Sequence, residues 1–152
     1  MTIIPYTTQE KHTLIDLMVR YFAELDSGIP EEIIRGKLSD LIDRQCMDKT
    51  IHAAVAVENS KPIGFSIYQI DMPQSDWCKR PGWGFIREFY VVPEHRCVGI
   101  GTTLAHYTEG RLYNLGAERL YLTADNAISF WQKCGWRLTE EICSNELNIL
   151  EK

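Results

Sequence analysis

Apolar residues recur at changing intervals along the chain, and the changes divide it into short helical and extended segments. A strand is predicted at residues 3–6, and two amphipathic helices follow it. The first helix is predicted to start at the stretch Thr7-Thr8-Gln9-Glu10, which has the spacing of a capping box. The second begins at Pro30, a residue favoured in a first helical turn. Their apolar stripes consist of Leu14, Met18, Tyr21 and Leu25 in the first and Ile34, Leu38, Leu41 and Ile42 in the second.

The rest of the chain is predicted to be mostly extended, with two further helices. Apolar and β-branched residues are frequent at 51–57 and 62–70, on either side of a turn, which is typical of a hairpin. The remaining predicted elements are strand 86–92, helix 99–115, strand 119–123, helix 129–134 and strands 136–139 and 147–150. This order predicts an α/β fold of the mixed α+β kind, in one domain over residues 1–152.

The composition is that of a globular domain whose core needs no cross-links. Of the 152 residues, 45% are hydrophobic and 24% are charged, so the chain can bury a sizeable core. The five cysteines are odd in number, form no CxxC and have no histidine at zinc-finger spacing. The start does not resemble a signal peptide, and no apolar run is long enough for a membrane. We therefore expect a reduced, cytoplasmic protein without membrane association.

The balance of charge argues against nucleic acid as a partner. Lysine and arginine together number 16 against 21 for aspartate and glutamate, and a net charge of −5 opposes binding to a phosphate backbone. The same sign suits a cationic substrate, but it is also ordinary for a soluble domain.

The strongest chemical signal is a buried strand that turns through a glycine-containing loop into a helix. It reads Phe89-Tyr90-Val91-Val92-Pro93-Glu94-His95-Arg96-Cys97-Val98-Gly99-Ile100-Gly101-Thr102. Amides at the start of a helix have no partner within it, the helix dipole makes that end positive, and glycine lets a phosphate approach. The chain contains no GxxxxGK(S/T) loop, and Leu104 breaks the GxGxxG pattern of dinucleotide-binding proteins. The stretch therefore predicts an anion site of another class.

The pattern R-x-x-G-x-G after an apolar strand ending in V-x-P resembles the GNAT superfamily of acyl-CoA-dependent N-acyltransferases. A second stretch, Ala127-Ile128-Ser129-Phe130-Trp131-Gln132-Lys133-Cys134-Gly135-Trp136, is similar to that family's second signature. The predicted element order agrees with the family over nearly the whole chain. The resemblance implies acetyl-CoA as cosubstrate. It also implies a central, mostly antiparallel twisted sheet of about six to seven strands, splayed at the coenzyme site and flanked by about four helices.

The resemblance also implies roles for individual residues. The backbone amides of the loop would bind the pyrophosphate of coenzyme A. The loop consists of Arg96, Cys97, Val98, Gly99, Ile100, Gly101 and Thr102. Phe89, Tyr90 and Val91 would offer backbone groups to the pantetheine arm and the acetyl carbonyl, on a strand that parts from its neighbour at a bulge. The N–H of Val91 is the candidate for stabilising the tetrahedral oxyanion. No metal is implied, because the thioester is already activated.

Two positions depart from the family pattern. Trp131 stands where many relatives have a tyrosine proposed to protonate the leaving thiolate, and an indole N–H is no practical acid of that kind. Ala124 stands where an asparagine is usual, with Asn126 nearby. Asn126 either takes that asparagine's place in coenzyme binding or caps the short helix that follows. Trp131 and Asn126 are therefore further candidates for coenzyme contact.

Direct acyl transfer needs a neutral amine, whereas an amine of pKa about 10.4 is almost fully protonated at pH 7. A base is therefore valuable, and Glu88, near the end of the apolar strand, is the first candidate. The alternative is that Glu88 forms a salt bridge to Arg87 or to a lysine or arginine elsewhere in the chain. Tyr90 shares a face with Glu88 in a regular strand and is the second catalytic candidate, with a role in the core or at the rim as the alternative.

The resemblance also implies that the two N-terminal helices and the long loop 71–84 form the acceptor side. Aromatic and acidic residues there suit a cationic amine, but they equally suit a loop that packs on itself. These residues are Tyr21, Phe22, Asp26, Asp71, Asp76, Trp77 and Trp83.

The sequence is compatible with three functions. The leading one is transfer of an acetyl group to a primary amine of a small molecule. The second is acetylation of a protein α-amine or lysine, and the third, which Trp131 motivates, is a non-catalytic acyl-CoA-binding regulatory domain. An exposed edge of the splayed sheet would permit a homodimer.

Overall fold

The computed structural model describes residues 1–26, 28–47, 49–75 and 78–152, with the backbone alone for residues 45–47. Asp76 and Trp77, two candidates for the acceptor side, lie outside the described residues. The helices are α1 (Lys11–Glu24), α2 (Glu31–Met47), α3 (Ile100–Asn114) and α4 (Ile128–Lys133). The strands are β1 (Thr2–Pro5), β2 (His52–Glu58), β3 (Lys61–Ile70), β4 (Gly84–Val91), β5 (Leu120–Ala124), β6 (Arg137–Ile142) and β7 (Asn148–Glu151). No helix among the described residues is long and apolar enough to span a bilayer.

The described strands form one seven-stranded sheet, and all elements follow the predicted order. Hydrogen-bonded neighbours in the sheet have the order β1-β2-β3-β4-β5-β7-β6. β4 and β5 are parallel, whereas β1 with β2, β5 with β7 and β6 with β7 are antiparallel. The predicted mixed fold, with a mostly antiparallel sheet and flanking helices, is confirmed.

Packing divides the chain into two compact units. The first unit contains Met1–Ile67 and Glu88–Leu104, and the second contains Tyr68–Arg87 and Ala105–Lys152. Because β3 and β4 cross these boundaries, each of the two strands contributes residues to both units.

The core of the first unit draws on the predicted apolar stripes of its helices. Leu14 and Met18 on α1 and Ile42 on α2 are almost inaccessible to solvent. The β2–β3 turn is made by Asn59 and Ser60, whose φ angles of 50° and 61° are of the sign that tight two-residue hairpin loops require. The predicted helices and hairpin are therefore present, with small shifts at their ends.

The start and the end of α1 differ from the prediction. Thr7 precedes a separate 3-10 turn (Thr8–Glu10), and its hydroxyl donates to the Glu10 carboxylate instead of the side chain capping a backbone N–H. Glu10 is the N-cap of α1 and makes no side-chain capping bond. Leu25 follows the last helical residue and is 51% exposed, so it is not part of the buried stripe. The capping-box prediction is wrong, because the four residues fold as their own turn.

β3 and the end of β4 approach each other closely at Gly64. An ideal Cβ on Gly64 would lie 2.7 Å from the carbonyl O of Tyr90 and 3.4 Å from the Cα of Val91. A side chain cannot approach a backbone oxygen that closely, so this packing requires glycine. Next along the strand, the N–H of Val92 donates to the carbonyl O of Ile63 at 2.9 Å. Gly64 thus determines how near the end of β4 lies to β3.

The second unit is organised around β5, which pairs along both edges. Its parallel register with β4 joins residues 84–86 to 120–122, while β4 continues to Val91. On the other edge, β5 pairs with β7 in antiparallel register. Phe85, Tyr121 and Ile149 form a buried cluster, in which the rings of Phe85 and Tyr121 stack with centroids 4.5 Å apart.

The long loop between β3 and β4 is anchored by Asp71, which is 1% exposed. Its carboxylate accepts hydrogen bonds from the backbone N–H groups of Met72 and Lys79 at 3.1 Å and of Arg80 at 3.2 Å. It also accepts one from the hydroxyl of Tyr121. At Asp71 the loop therefore packs on itself, which agrees with the second of the two interpretations of this residue, because the loop's own backbone N–H groups donate to its carboxylate.

We expect Gly64→Ala to lower the free energy of unfolding by about 1–3 kcal/mol, as overpacking of a core usually does. The new methyl group would meet the Tyr90 carbonyl O at 2.7 Å, and a backbone atom in a strand does not move aside easily. Urea denaturation followed by tryptophan fluorescence measures the change.

Gly36→Ala is the matched control for this substitution. An added Cβ at Gly36, within α2, meets nothing within 4 Å. Alanine is the better helix former, so we expect a gain of about 0.5–1 kcal/mol. A Gly64→Ala protein as stable as the wild type would contradict the close approach of β3 and β4.

Candidate active site

β4 carries its last residues to the point where the chain turns toward α3. Glu88 and Phe89 are half-buried, and Tyr90 and Val91 are 4% and 8% exposed. A 3-10 turn (Pro93–His95) then ends the strand at the predicted proline. The strand end is thus held in the core of the first unit, while the residues that follow emerge at the surface.

The loop that leads into α3 is exposed and contains two residues with left-handed backbone. Cys97 has a φ of 65° and Gly99 a φ of 88°. Val98 between them is 71% exposed. Left-handed φ is uncommon for a residue with a Cβ, whereas glycine adopts it readily. The backbone conformation at this position therefore favours the first glycine of the predicted loop.

α3 begins with amide groups that the helix itself does not use. Thr103 is the first residue that bonds back into the loop: its N–H donates to the carbonyl O of Gly99 at 3.0 Å and its hydroxyl to the same oxygen at 3.1 Å. The N–H groups of Ile100, Gly101 and Thr102 come before it and have no acceptor within α3. These amides and the positive end of the helix dipole together make a site suited to an anion.

The surroundings of this helix start leave room for a phosphate group. An ideal Cβ on Gly99 would meet no heavy atom within 4 Å, so the space beside the loop is open. Clustered metal ligands are not part of the arrangement. Within the described ranges, no group of three or more histidine, cysteine, aspartate or glutamate side chains could hold a metal ion.

Arg96, the first residue of R-x-x-G-x-G, turns its guanidinium back toward the strand. Its Nε donates to the carbonyl O of Val91 at 2.7 Å, and its Nη2 donates to the carboxylate of Glu24 at 2.8 Å. The guanidinium also lies over the ring of Tyr90, 5.5 Å from its centroid. Arg96 thereby joins the loop to the end of β4 and to the end of α1.

Glu24, the last residue of α1, belongs to this site although nothing in the sequence predicts it. Its carboxylate accepts hydrogen bonds from Arg96 and from the hydroxyl of Tyr90. Burial raises the pKa of Glu24, but these two bonds outweigh it and hold the pKa below its ordinary range. Burial and the neighbouring carboxylate raise the pKa of Tyr90 to about 12. At neutral pH Glu24 is therefore ionised and Tyr90 is a neutral donor.

A second ion pair and a ring contact join α1 to the same region. Arg20 donates to both carboxylate oxygens of Glu94 in the 3-10 turn, at 2.8 and 3.1 Å. The ring of Tyr21 lies 5.6 Å from that of Tyr90 and 6.0 Å from that of Phe65, between centroids. One side of α1 is thus fixed against the strand end and the turn that follows it.

A pocket of about 280 Å³ lies at the junction of α1 and α2. Its lining is mostly apolar with two carboxylates and consists of Val19, Phe22, Ala23, Asp26, Gly28, Ile29, Glu31 and Ile34. Glu31 is paired with Arg35, whose Nε donates to it at 2.9 Å. The ring of Phe22 is 5.3 Å from that of Tyr21, which in turn contacts Tyr90. The pocket is therefore one aromatic ring away from the end of β4.

The first unit brings together most of the predicted site residues. Glu88, Phe89, Tyr90 and Val91 form the strand end, and residues 96–102 form the loop and the helix start. Arg87, the alternative partner for Glu88, donates to Gln69 Oε1 at 3.1 Å. Tyr90 is buried and bonded to Glu24, which agrees with its alternative role in the core.

Trp131 and Asn126 belong to the second unit. Trp131 on α4 is 5% exposed and packs in T-shaped contacts against Phe130 and Trp136, with centroid distances of 4.9 and 5.5 Å. The N-cap of α4 is Ala127, which has a φ of 54° and makes no side-chain capping bond. The prediction that Asn126 caps this helix is wrong, because the left-handed Ala127 takes the cap position and Asn126 precedes it.

Solved acetyltransferase structures share this fold. PaiA N-acetyltransferase from Thermoplasma acidophilum, in complex with coenzyme A, is 23% identical with a TM-score of 0.72, over 100% of this chain and 99% of that one. A predicted acetyltransferase with acetyl-CoA from Clostridium acetobutylicum is 20% identical with a TM-score of 0.75, over 94% of each chain. An aminoglycoside 6′-N-acetyltransferase complexed with coenzyme A is 15% identical with a TM-score of 0.74, over 100% of this chain and 96% of that one.

Membership of a family is shown by the sequence itself. The family described as acetyltransferase (GNAT) matches residues 13–136, which include both stretches that carry the resemblance. No curated protein matches the chain. This chain therefore belongs to the GNAT acetyltransferase family, whose members are acyltransferases that use acetyl-CoA.

Proposed function

We propose that this protein transfers the acetyl group of acetyl-CoA to a primary amine of a small molecule while both substrates are bound. The start of α3 carries the proposal, because the amides of Ile100, Gly101 and Thr102 have no acceptor in the helix and the left-handed Gly99 leaves open space beside them. Acetyl-CoA supplies an activated thioester. The chain then has to hold the coenzyme and to orient the amine.

The pocket at the junction of α1 and α2 supports a small amine as the acceptor. Its apolar walls suit the body of such a molecule, and the exposed carboxylate of Asp26 suits its charged end. Aminoglycoside N-acetyltransferases are among the solved structures with this fold. A net charge of −5 also favours the approach of cations.

Glu88 is the proposed base that takes a proton from the ammonium form of the acceptor. It is half-buried on β4, two residues before Tyr90, at the strand end that is proposed to contact the coenzyme. Tyr90 suits proton transfer less well, because its hydroxyl donates to Glu24 and its pKa is raised to about 12. We therefore assign Tyr90 to packing and to backbone contact with the coenzyme.

The proposal is tested by thermal unfolding with and without acetyl-CoA, followed by thiol release against a panel of amines in the same preparation. Ligand at 100 times its Kd stabilises by about 2.7 kcal/mol, which corresponds to a shift on the order of 5–10 °C for a domain of this size. We expect this shift together with thiol release on small cationic amines.

Other outcomes of these two measurements would contradict the proposal or favour one of the alternative functions. A shift with release only on peptides that carry a free α-amine or lysine would indicate a protein acetyltransferase. A shift without release on any amine would favour a regulatory acyl-CoA-binding domain, and no shift would contradict the assignment of the coenzyme loop.

Gly99→Asp is expected to abolish coenzyme A binding. The aspartate carboxylate would repel the phosphates at the start of α3, and its side chain would enter the open space beside the loop. The neutral Gly99→Asn is the matched control, because asparagine has the same shape and tolerates left-handed backbone. Calorimetric titration should give weaker but measurable binding for Gly99→Asn, and unchanged affinity in Gly99→Asp would contradict the site.

Trp131→Tyr is expected to leave turnover undiminished while lowering stability by about 1 kcal/mol. The smaller ring would contact Phe130 and Trp136 less fully. The measurement is kcat for thiol release well below the melting temperature, with Trp131→Phe as the control that lacks a hydroxyl. A large loss of kcat in both variants would mean that Trp131 orients a group needed for catalysis.

A further inference from the structure

We propose that Glu24 is a positioning residue for the coenzyme loop: by holding Arg96 against the end of β4, its carboxylate keeps the amides at the start of α3 aligned for a pyrophosphate. The inference rests on the proposed function, since it takes coenzyme A as the ligand of that helix start. Glu24 itself is not expected to touch the reacting atoms.

The loop needs such a support because, among the described residues, backbone hydrogen bonds hold it only at its two ends. On one side the N–H of Arg96 donates to the carbonyl O of Pro93 at 3.2 Å, and on the other Thr103 donates to Gly99 at 3.0 Å. Between these bonds, Cys97 and Val98 are exposed. The Arg96 side chain supplies a further bond between the loop and the strand, because its Nε donates to the carbonyl O of Val91 at 2.7 Å.

Glu24 fixes the direction of that side chain. A single bond from Nε would leave the guanidinium free to rotate, but Nη2 also donates to the Glu24 carboxylate at 2.8 Å. The other oxygen of Glu24 accepts from the hydroxyl of Tyr90, whose ring is 4% exposed and packs 5.9 Å from that of Phe65, between centroids. Each carboxylate oxygen thus has one partner, and one of these partners belongs to the core.

This arrangement opposes a simple alternative, in which the Arg96 guanidinium itself binds phosphate and Glu24 only competes for it. Arg96 lies over the ring of Tyr90 and bonds a backbone carbonyl, so it is held on the strand side of the loop. The two interpretations predict opposite changes in the affinity for coenzyme A when the charge of Glu24 is removed. Removing the charge of Glu24 weakens coenzyme binding if Glu24 positions the loop, and strengthens it if Glu24 competes with phosphate.

The test is the Kd of coenzyme A for Glu24→Gln, measured by calorimetric titration at pH 7. The amide keeps the size of the side chain but removes its charge. Because hydrogen bonds to charged groups contribute more than neutral ones, we expect about tenfold weaker binding. Asp16→Asn is the matched control: Asp16 is also on α1 and, like Glu24, forms an exposed ion pair with an arginine at 2.8 Å, but that arginine, Arg35, is on α2 and not in the coenzyme loop. The Kd of coenzyme A for Asp16→Asn should stay within about twofold of wild type.

A second readout separates positioning from general damage to the fold. S-acetylpantetheine carries the thioester and the pantetheine arm but no phosphate. With acetyl-CoA, Glu24→Gln should raise KM about tenfold with kcat within about twofold of wild type, and with S-acetylpantetheine kcat/KM should stay within about twofold. Equal losses with both thioesters would overturn the proposal, since they would show that the whole site is disturbed.

The remaining outcomes are equally distinct. Unchanged or tighter binding of coenzyme A by Glu24→Gln overturns the positioning role, and so does a loss of similar size in Asp16→Asn. If wild-type protein does not bind coenzyme A, the proposed function fails instead, and the same titration shows this before any variant is compared.

Discussion

Amide groups that are to bind a ligand cannot also hold their loop together, and this constraint governs the chain between β4 and α3. The first amides of α3 make no bond within the helix, and the loop before them is exposed. Charged side chains hold the loop instead, since Arg96 bonds the Val91 carbonyl at 2.7 Å and Glu24 bonds Arg96 at 2.8 Å. Such charge-assisted bonds are stronger than the neutral backbone bonds that they replace.

Local patterns in the sequence predict the elements and the helix start well, because their causes are local. Apolar periodicity depends on which face of a helix or strand is buried, and it recovers the seven strands and four α-helices of the described residues in the right order. The first glycine of R-x-x-G-x-G is informative for a physical reason, since Gly99 has a φ of 88° that few other residues tolerate. Helix ends are predicted less well: Thr7 and Asn126 have the residue type of a cap, but neither is the N-cap of an α-helix.

Residues whose role depends on distant partners escape prediction. Glu24 is 66 residues from Tyr90 and 72 from Arg96 in the chain, and an acidic residue at the end of an amphipathic helix is usually a solvated one. Asp71 shows the same difficulty, because its bond to Tyr121 spans 50 residues. The sequence presents Asp71 as a possible contact for a cation and gives no sign of Glu24, whereas the fold uses both carboxylates as acceptors for its own donors. Only the tertiary arrangement distinguishes these roles.

The pairing of charges around the loop also explains how an acidic chain can present an anion site. Arg96 is neutralised by Glu24 and Arg20 by Glu94, each at 2.8 Å, and the net charge is −5. The positive potential at the start of α3 then comes from directed N–H groups and the helix dipole, whose influence falls off within one turn. Attraction of this kind acts on a phosphate that fits closely against the backbone. Diffuse attraction of polyanions depends instead on unpaired cations, so the acidic surface and the anion site do not conflict.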